Sequence, residues 1–230
     1  MVSAAESLRT EAASREKLRA EVEVHRVSAT ENKKWNEKDW ASIDARSSFQ
    51  LGTDGKSLFV AYRTNQPQLL RNSAAEFPYA FTQGGGLDLM MRAQGASDNR
   101  QVFVGDSRLF VTQRNGRLLA VLYRQKAERA GNRVTFASPV GEVTFDDVQD
   151  VTDRIKLVVN RGAYEISAPL DLLGIDPSPG KTYRGDVGMV LSDGVRAQAR
   201  VYWHNKTDSM TADVPSEARL NPSQWGIFRF

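Results

Sequence analysis

Few side chains in this sequence are placed to do chemistry, and those few suit holding a ligand better than transforming one. Trp203 stands beside Arg200, His204, Asn205 and Lys206. A flat ring next to planar donors and acceptors suits a ligand with an apolar face and a rim of hydroxyls. A second ring would have to come from the long segment 63–86, which holds Phe77, Tyr79 and Phe81. Tyr79 is the best of the three, because it can stack and also donate a hydrogen bond. Asp88 and Arg92 flank Met90 on one face of the strand that follows, where they could hold hydroxyls or face water. In RAQARVYWH, alternation sends Arg196, Gln198, Arg200, Tyr202 and His204 to one side and Val195, Ala197, Ala199, Val201 and Trp203 to the other. Strict alternation therefore packs Trp203 in the core, whereas a strand ending at Tyr202 turns it outward.

The machinery of catalysis is missing. There is no cysteine, which excludes a disulfide framework, thiolate metal sites and thiol chemistry, and there are two histidines. GTDGKS at 52–57 lacks the earlier glycine of a phosphate-binding loop and reads as a hairpin. Gly84–Gly86 precede a strand rather than a helix, so they point to a close backbone approach or a bend. Neither a nucleophile elbow nor a His-Glu-x-x-His occurs. Asp146 and Asp147 read as a turn after a strand. The expectation is a protein that is not an enzyme. A net charge of +3, from 31 basic and 28 acidic residues, is too weak a field to suggest nucleic acid. No apolar run approaches a membrane span, and the first residues carry no signal-peptide pattern.

The elements that must position these residues are mostly strands. Residues 1–39 hold sixteen charges, eight of each sign, nearly twice the density of the remainder. Ser3 and Glu6 form a capping box, and Ala, Leu, Glu, Lys and Arg dominate to Ala20, which predicts a helix over 3–20. EVEVHRV at 21–27 alternates like a first strand. Four hairpins follow, turning at Asp54-Gly55, Asn115-Gly116, Arg161-Gly162 and Asp193-Gly194. PLDLLGI at 169–175 reads as one helical turn. Trp40 and Trp225 are assigned to the core, and Trp35 could lie either way. The predicted fold is all-β: a two-sheet antiparallel sandwich of jelly-roll or immunoglobulin-like type with an N-terminal helix, divided as 1–21 for the helix or linker and 22–230 for the sandwich. The loop at 63–86 is long enough to be functional.

Several segments in order carry a resemblance. NEKDW at 36–40, GTDGKSLFVAYR at 52–63, GGGLDLMMR at 84–92, YEISAPLDLLGIDPSPGKTYRGDVGMV at 164–190, YWHNK at 202–206 and PSQWG at 222–226 together resemble the carbohydrate-binding module family 9-like group, related to the DOMON sandwiches. The resemblance implies a non-catalytic module that holds the end of a glycan between two aromatic rings. Structural calcium is often present, and such modules usually sit in exported, multidomain proteins, extracellular or periplasmic. It implies Trp203 and Tyr79 as platforms, with Asp88, Arg92, Arg200, Asn205 and Lys206 as polar partners. This sequence departs from the sugar-binding members in having no tryptophan in the loop. Relatives of the same sandwich hold haem b between a Met and a His or Lys, which offers Met90 or Met91 with His204 or Lys206 as an alternative. A third reading is a sandwich without a ligand that serves as a structural or docking domain.

Overall fold

The structure is a computed structural model that describes residues 21–28, 35–66, 68–93, 101–207 and 213–230. The helix predicted over 3–20 lies outside the described residues. In chain order the strands begin with β1 (Glu21–Arg26), β2 (Ala41–Asp44), β3 (Ser47–Thr53), β4 (Ser57–Thr64), β5 (Arg71–Asn72) and β6 (Gly86–Met91). Next come β7 (Ser107–Arg114), β8 (Arg117–Arg124), β9 (Val134–Ser138), β10 (Gly141–Phe145) and β11 (Asp147–Asp150). The last are β12 (Lys156–Asn160), β13 (Ala163–Pro169), β14 (Thr182–Ser192), β15 (Ala197–Tyr202) and β16 (Gly226–Arg229). Two short helices, α1 (Leu170–Leu173) and α2 (Val214–Ala218), complete the set among the described residues.

All four predicted hairpins form. Asn115 and Gly116 both take positive φ, 53° and 73°, which is what a two-residue turn between right-twisted strands requires. Asp54 and Asp193 close their turns through the side chain, each accepting two backbone N–H groups on the far side. The predicted helical turn is α1, ended by Gly174 at φ 67°.

The strands run in one hydrogen-bonded path, β11-β8-β7-β6-β14-β16-β1-β3-β4-β13-β12. β1 joins its two halves: Glu21–Glu23 pair with β16, and Val24–Arg26 pair with β3. Both pairings are parallel, as is β5 with β7, so the antiparallel expectation is corrected there. The halves face each other across a core drawn from both: Phe49, Leu51, Val60, Tyr62 and Ile166 from one half, Leu87, Leu89, Leu109, Val111 and Leu122 from the other. The result is a sandwich-like all-β fold in which one strand joins the two halves of a single hydrogen-bonded path.

The half that contains β6, β7 and β8 is buried on its second face as well. Alternation along β6, β7 and β8 sends Met90, Phe110, Val121 and Tyr123 away from the main core into another apolar cluster. That face is covered by the 3-10 turn Phe77–Tyr79, the β9–β10 hairpin, α2 and the turn Pro222–Gln224, contributing Phe136, Val143, Phe145, Ala218 and neighbouring Trp225. Strands with both faces covered read as near-continuous apolar runs, which is how RLFVTQ and LLAVLYR appear in the sequence.

Candidate functional site

The two rings singled out from the sequence do not meet. Trp203 is 8% exposed and belongs to the main core. It stacks on Phe228 with centroids 5.8 Å apart and meets the edge of Phe49 at 5.6 Å. Its backbone N–H donates to the Val187 carbonyl at 2.8 Å, so the pairing continues past Tyr202 and alternation holds from Val201 to Trp203. A bulge opposite Ser192 breaks it earlier, and Ala197 joins the cluster of Tyr202 rather than that of Trp203. Tyr79 packs in the second cluster, edge-on to Phe136 at 5.4 Å. The sheet lies between them, and no slot separates the pair.

The polar candidates are occupied by protein partners. Asp88, fully buried, accepts a bidentate pair from Arg108 at 2.9 and 2.6 Å and a third bond from the Tyr202 hydroxyl at 2.8 Å. Arg200 donates to the Glu217 carboxylate at 2.6 Å and to its carbonyl at 2.7 Å, and Arg108 reaches the same carbonyl at 3.1 Å. Asp88 and Arg200 thus belong to one network closed by α2. Burial opposes the Arg108 charge, but Asp88 and the tyrosines around it outweigh that and hold its pKa above the ordinary value. Burial and the neighbouring Asp88 keep the Tyr202 phenol protonated, as its donor role needs.

Arg92 lies apart from this network. It donates to Asp106 at 3.2 and 2.9 Å and to the Gln101 carbonyl at 2.7 Å. Burial raises the Asp106 pKa, with Arg92 pulling the other way. Asn205 and the preceding His204 donate their backbone N–H groups to Asp186 at 2.8 and 3.0 Å, and Val187 adds a third at 2.9 Å. Burial nonetheless pushes the Asp186 carboxyl up to about 7. The Lys206 ammonium donates to the carbonyls of Ile43 and Tyr202. Arg108, Glu217 and Asp186 are members that sequence reasoning missed. The available signal was a charge at a position in register with apolar neighbours, as in S-R-L-F-V.

Met91 faces the main core and Met90 the opposite cluster, while His204 Nδ1 is 2.7 Å from the Gln224 carbonyl. No group of three or more histidine or carboxylate side chains converges among the described residues, so the calcium implied by the resemblance meets no such ligand set there.

A recess with suitable chemistry lies instead at the open end between the layers. It measures about 400 Å3 and is lined by Leu69, Arg71, Gln113, Asn115, Val159 and Tyr164, among others. β5 ties the 63–86 segment to β7 by pairing Arg71 with Gln113, and the Gln113 N–H donates to Leu70 at 2.9 Å. The β7–β8 turn brings Asn115 to the rim. The opposite wall is the β12–β13 hairpin, where Tyr164 pairs with Val159. Tyr164 is half-buried against the main core. Burial raises its pKa, so at neutral pH it is a hydrogen-bond donor. Arg71 Nη1 donates to Gln68 Oε1 at 3.3 Å beside it. One ring, several amides and a guanidinium line a hollow within the usual size of ligand sites.

With this geometry in place, comparison with known proteins identifies the fold. No protein-family model matches the sequence, and no curated protein matches it. Solved structures match its fold, among them a carbohydrate binding module family 9 from Caldicellulosiruptor kristjanssonii in complex with glucose, and a carbohydrate binding module family 9 from the same organism in complex with cellotriose. Each aligns with a TM-score of 0.50, at 15% and 16% identity. The alignments cover 91% of this chain and 95% and 93% of those chains. The chain has a family 9-like fold.

Proposed function

We propose that this protein is a non-catalytic carbohydrate-binding module and that the recess beside Tyr164 is where the sugar sits. The observation that carries the reading is Tyr164 itself: an accessible ring at the mouth of a family 9-like fold, surrounded by Gln68, Arg71, Gln113 and Asn115. The ring offers its face to the C–H side of a sugar, and the amides and the guanidinium reach its hydroxyls. The glycan-end slot between Trp203 and Tyr79 implied by the resemblance has no open counterpart here, so a single-ring site replaces it in this reading. Such a site binds weakly, with a Kd of about 10–1000 μM, or roughly −4 to −7 kcal/mol. An extracellular or periplasmic location in a longer multidomain chain accompanies the proposal.

Calorimetric titration with mono- and oligosaccharides tests it. The expected result is saturable heat for at least one neutral sugar, lost in Tyr164→Ala and unchanged in Tyr79→Phe. Binding that survives Tyr164→Ala would move the site elsewhere. The burial of Trp203 and the closed Asp88–Arg108 network favour a second reading, a structural or docking sandwich without a ligand. Silence across a glycan array would select it.

A further inference from the structure

The sheet half that presents Tyr164 inward carries a second hollow of about 510 Å3 on its outward face. Its floor is a row of aligned residues across four strands: Ser42 pairs with Ser48, Ser48 with Arg63, and Arg63 with Ala163. Short side chains on either side of Arg63 leave the depression. Two turns raise its rim. Arg46 enters from the β2–β3 turn and Arg161 from the β12–β13 turn, and both line the hollow with Asn65. Thr64 brings these turns together: its hydroxyl bonds that of Ser47 at 2.9 Å, and its N–H donates to the Gly162 carbonyl at 2.9 Å.

The charges in the hollow are unbalanced. Arg63 is held by Glu37 at 2.6 Å and lies 3.9 Å over the Trp40 ring. Asp44 is the one carboxylate among the lining residues, and it accepts the Arg46 backbone N–H at 2.7 Å. The guanidinium groups of Arg46 and Arg161 make no ion pair among the described residues, and both residues are exposed. A planar guanidinium fork matches a carboxylate in two-point contact, and the Ser48 hydroxyl and the Asn65 amide suit ring hydroxyls.

We propose that this hollow binds the carboxylate of an acidic saccharide, a uronic-acid unit, between Arg46 and Arg161. The inference rests on the carbohydrate reading above but uses a different face. The test is a titration of the intact chain with an oligogalacturonate and with a neutral oligosaccharide of equal length, for wild type, Arg46→Gln, Arg161→Gln and Tyr164→Ala. The acidic oligomer is expected to bind more tightly. Either arginine substitution should weaken it about tenfold, as loss of one charge-assisted contact does. About 0.5 M salt should weaken it further, and the neutral ligand should be untouched by the arginine changes. The preference for the acidic over the neutral oligomer should persist in Tyr164→Ala. Equal binding of the two oligomers, or indifference to both arginine substitutions, overturns the inference and leaves the neutral-sugar reading standing. Inorganic sulfate competing at the same concentration overturns the saccharide assignment in favour of a general anion site. Failure of both oligomers to bind removes both proposals together.

Discussion

Asp88 and Arg108 are two charges that the interior tolerates only as a pair. Replacing Asp88 by Ala leaves a buried guanidinium without its counter-charge, at a cost of about 3–5 kcal/mol. Tyr202→Phe removes one bond from the same carboxylate and should cost less, about 1.5–3 kcal/mol. Urea midpoints of the two variants decide this, and equal midpoints would refute the network. Trp203→Ala should cost about 3–5 kcal/mol, because it empties a packed site between Phe49 and Phe228. Near-native stability together with lost sugar binding would restore Trp203 as a platform. Asp186 makes a prediction about pH. Its carboxyl titrates near 7 in the folded chain, above the ordinary 3.8, so the folded state holds more protons across that window. The associated stability is present below the ordinary value and is lost as pH rises towards 7, with a slope of at most about 1.4 kcal/mol per unit. Unfolding titrations of wild type and Asp186→Asn between pH 4 and 7 should differ by that slope, and parallel curves would refute it.

Among the elements, β6 depends on glycine at its entry. A Cβ on Gly86 would lie 2.4 Å from the Phe110 ring, and one on Gly85 would lie 2.2 Å from the Leu69 carbonyl. The close backbone approach expected from the Gly84–Gly86 run is therefore present, and it is what lets the 63–86 segment lie against the sheet. Gly86→Ala should destabilise by about 1–3 kcal/mol as Phe110 is forced aside. A thermal melt matching wild type would mean that the ring moves freely. The hairpins were readable in the sequence because Asn-Gly, Asp-Gly and Arg-Gly mark turns locally. The β9–β10 hairpin was not read, although Ser138-Pro139-Val140-Gly141 suits a type I turn, because its strands are short and only Phe136, Val143 and Phe145 of them are fully apolar and buried. Trp40 was misplaced for a different reason. It lies on the outer face under Arg63, and an arginine above a ring has no signature in sequence spacing.

At the scale of the molecule, the chain is closed by a pairing between its distant parts. Glu21 is in register with Ile227, and β16 also pairs with β14. Removing residues 226–230 takes away both pairings and should abolish cooperative unfolding, as read by a far-UV circular dichroism melt. A sharp transition in the truncated chain would show that the halves hold without these pairings. Such long-range closure also implies slow folding compared with helical domains of similar size.

The sequence alone determined the all-β class, the four hairpins and the helical turn within 169–175, because periodicity and turn chemistry are local properties. Tertiary structure decided which face each alternating residue would meet. Trp203 and Tyr202 are neighbours in the chain, yet they enter different cores because a second layer covers the outer face of the sheet. Tyr164 and Arg71 are far apart in the chain, yet they share one recess because β5 and the β12–β13 hairpin converge there. Strand alternation assigns sides, but only the packing of the layers determines whether a side is interior or open to a ligand.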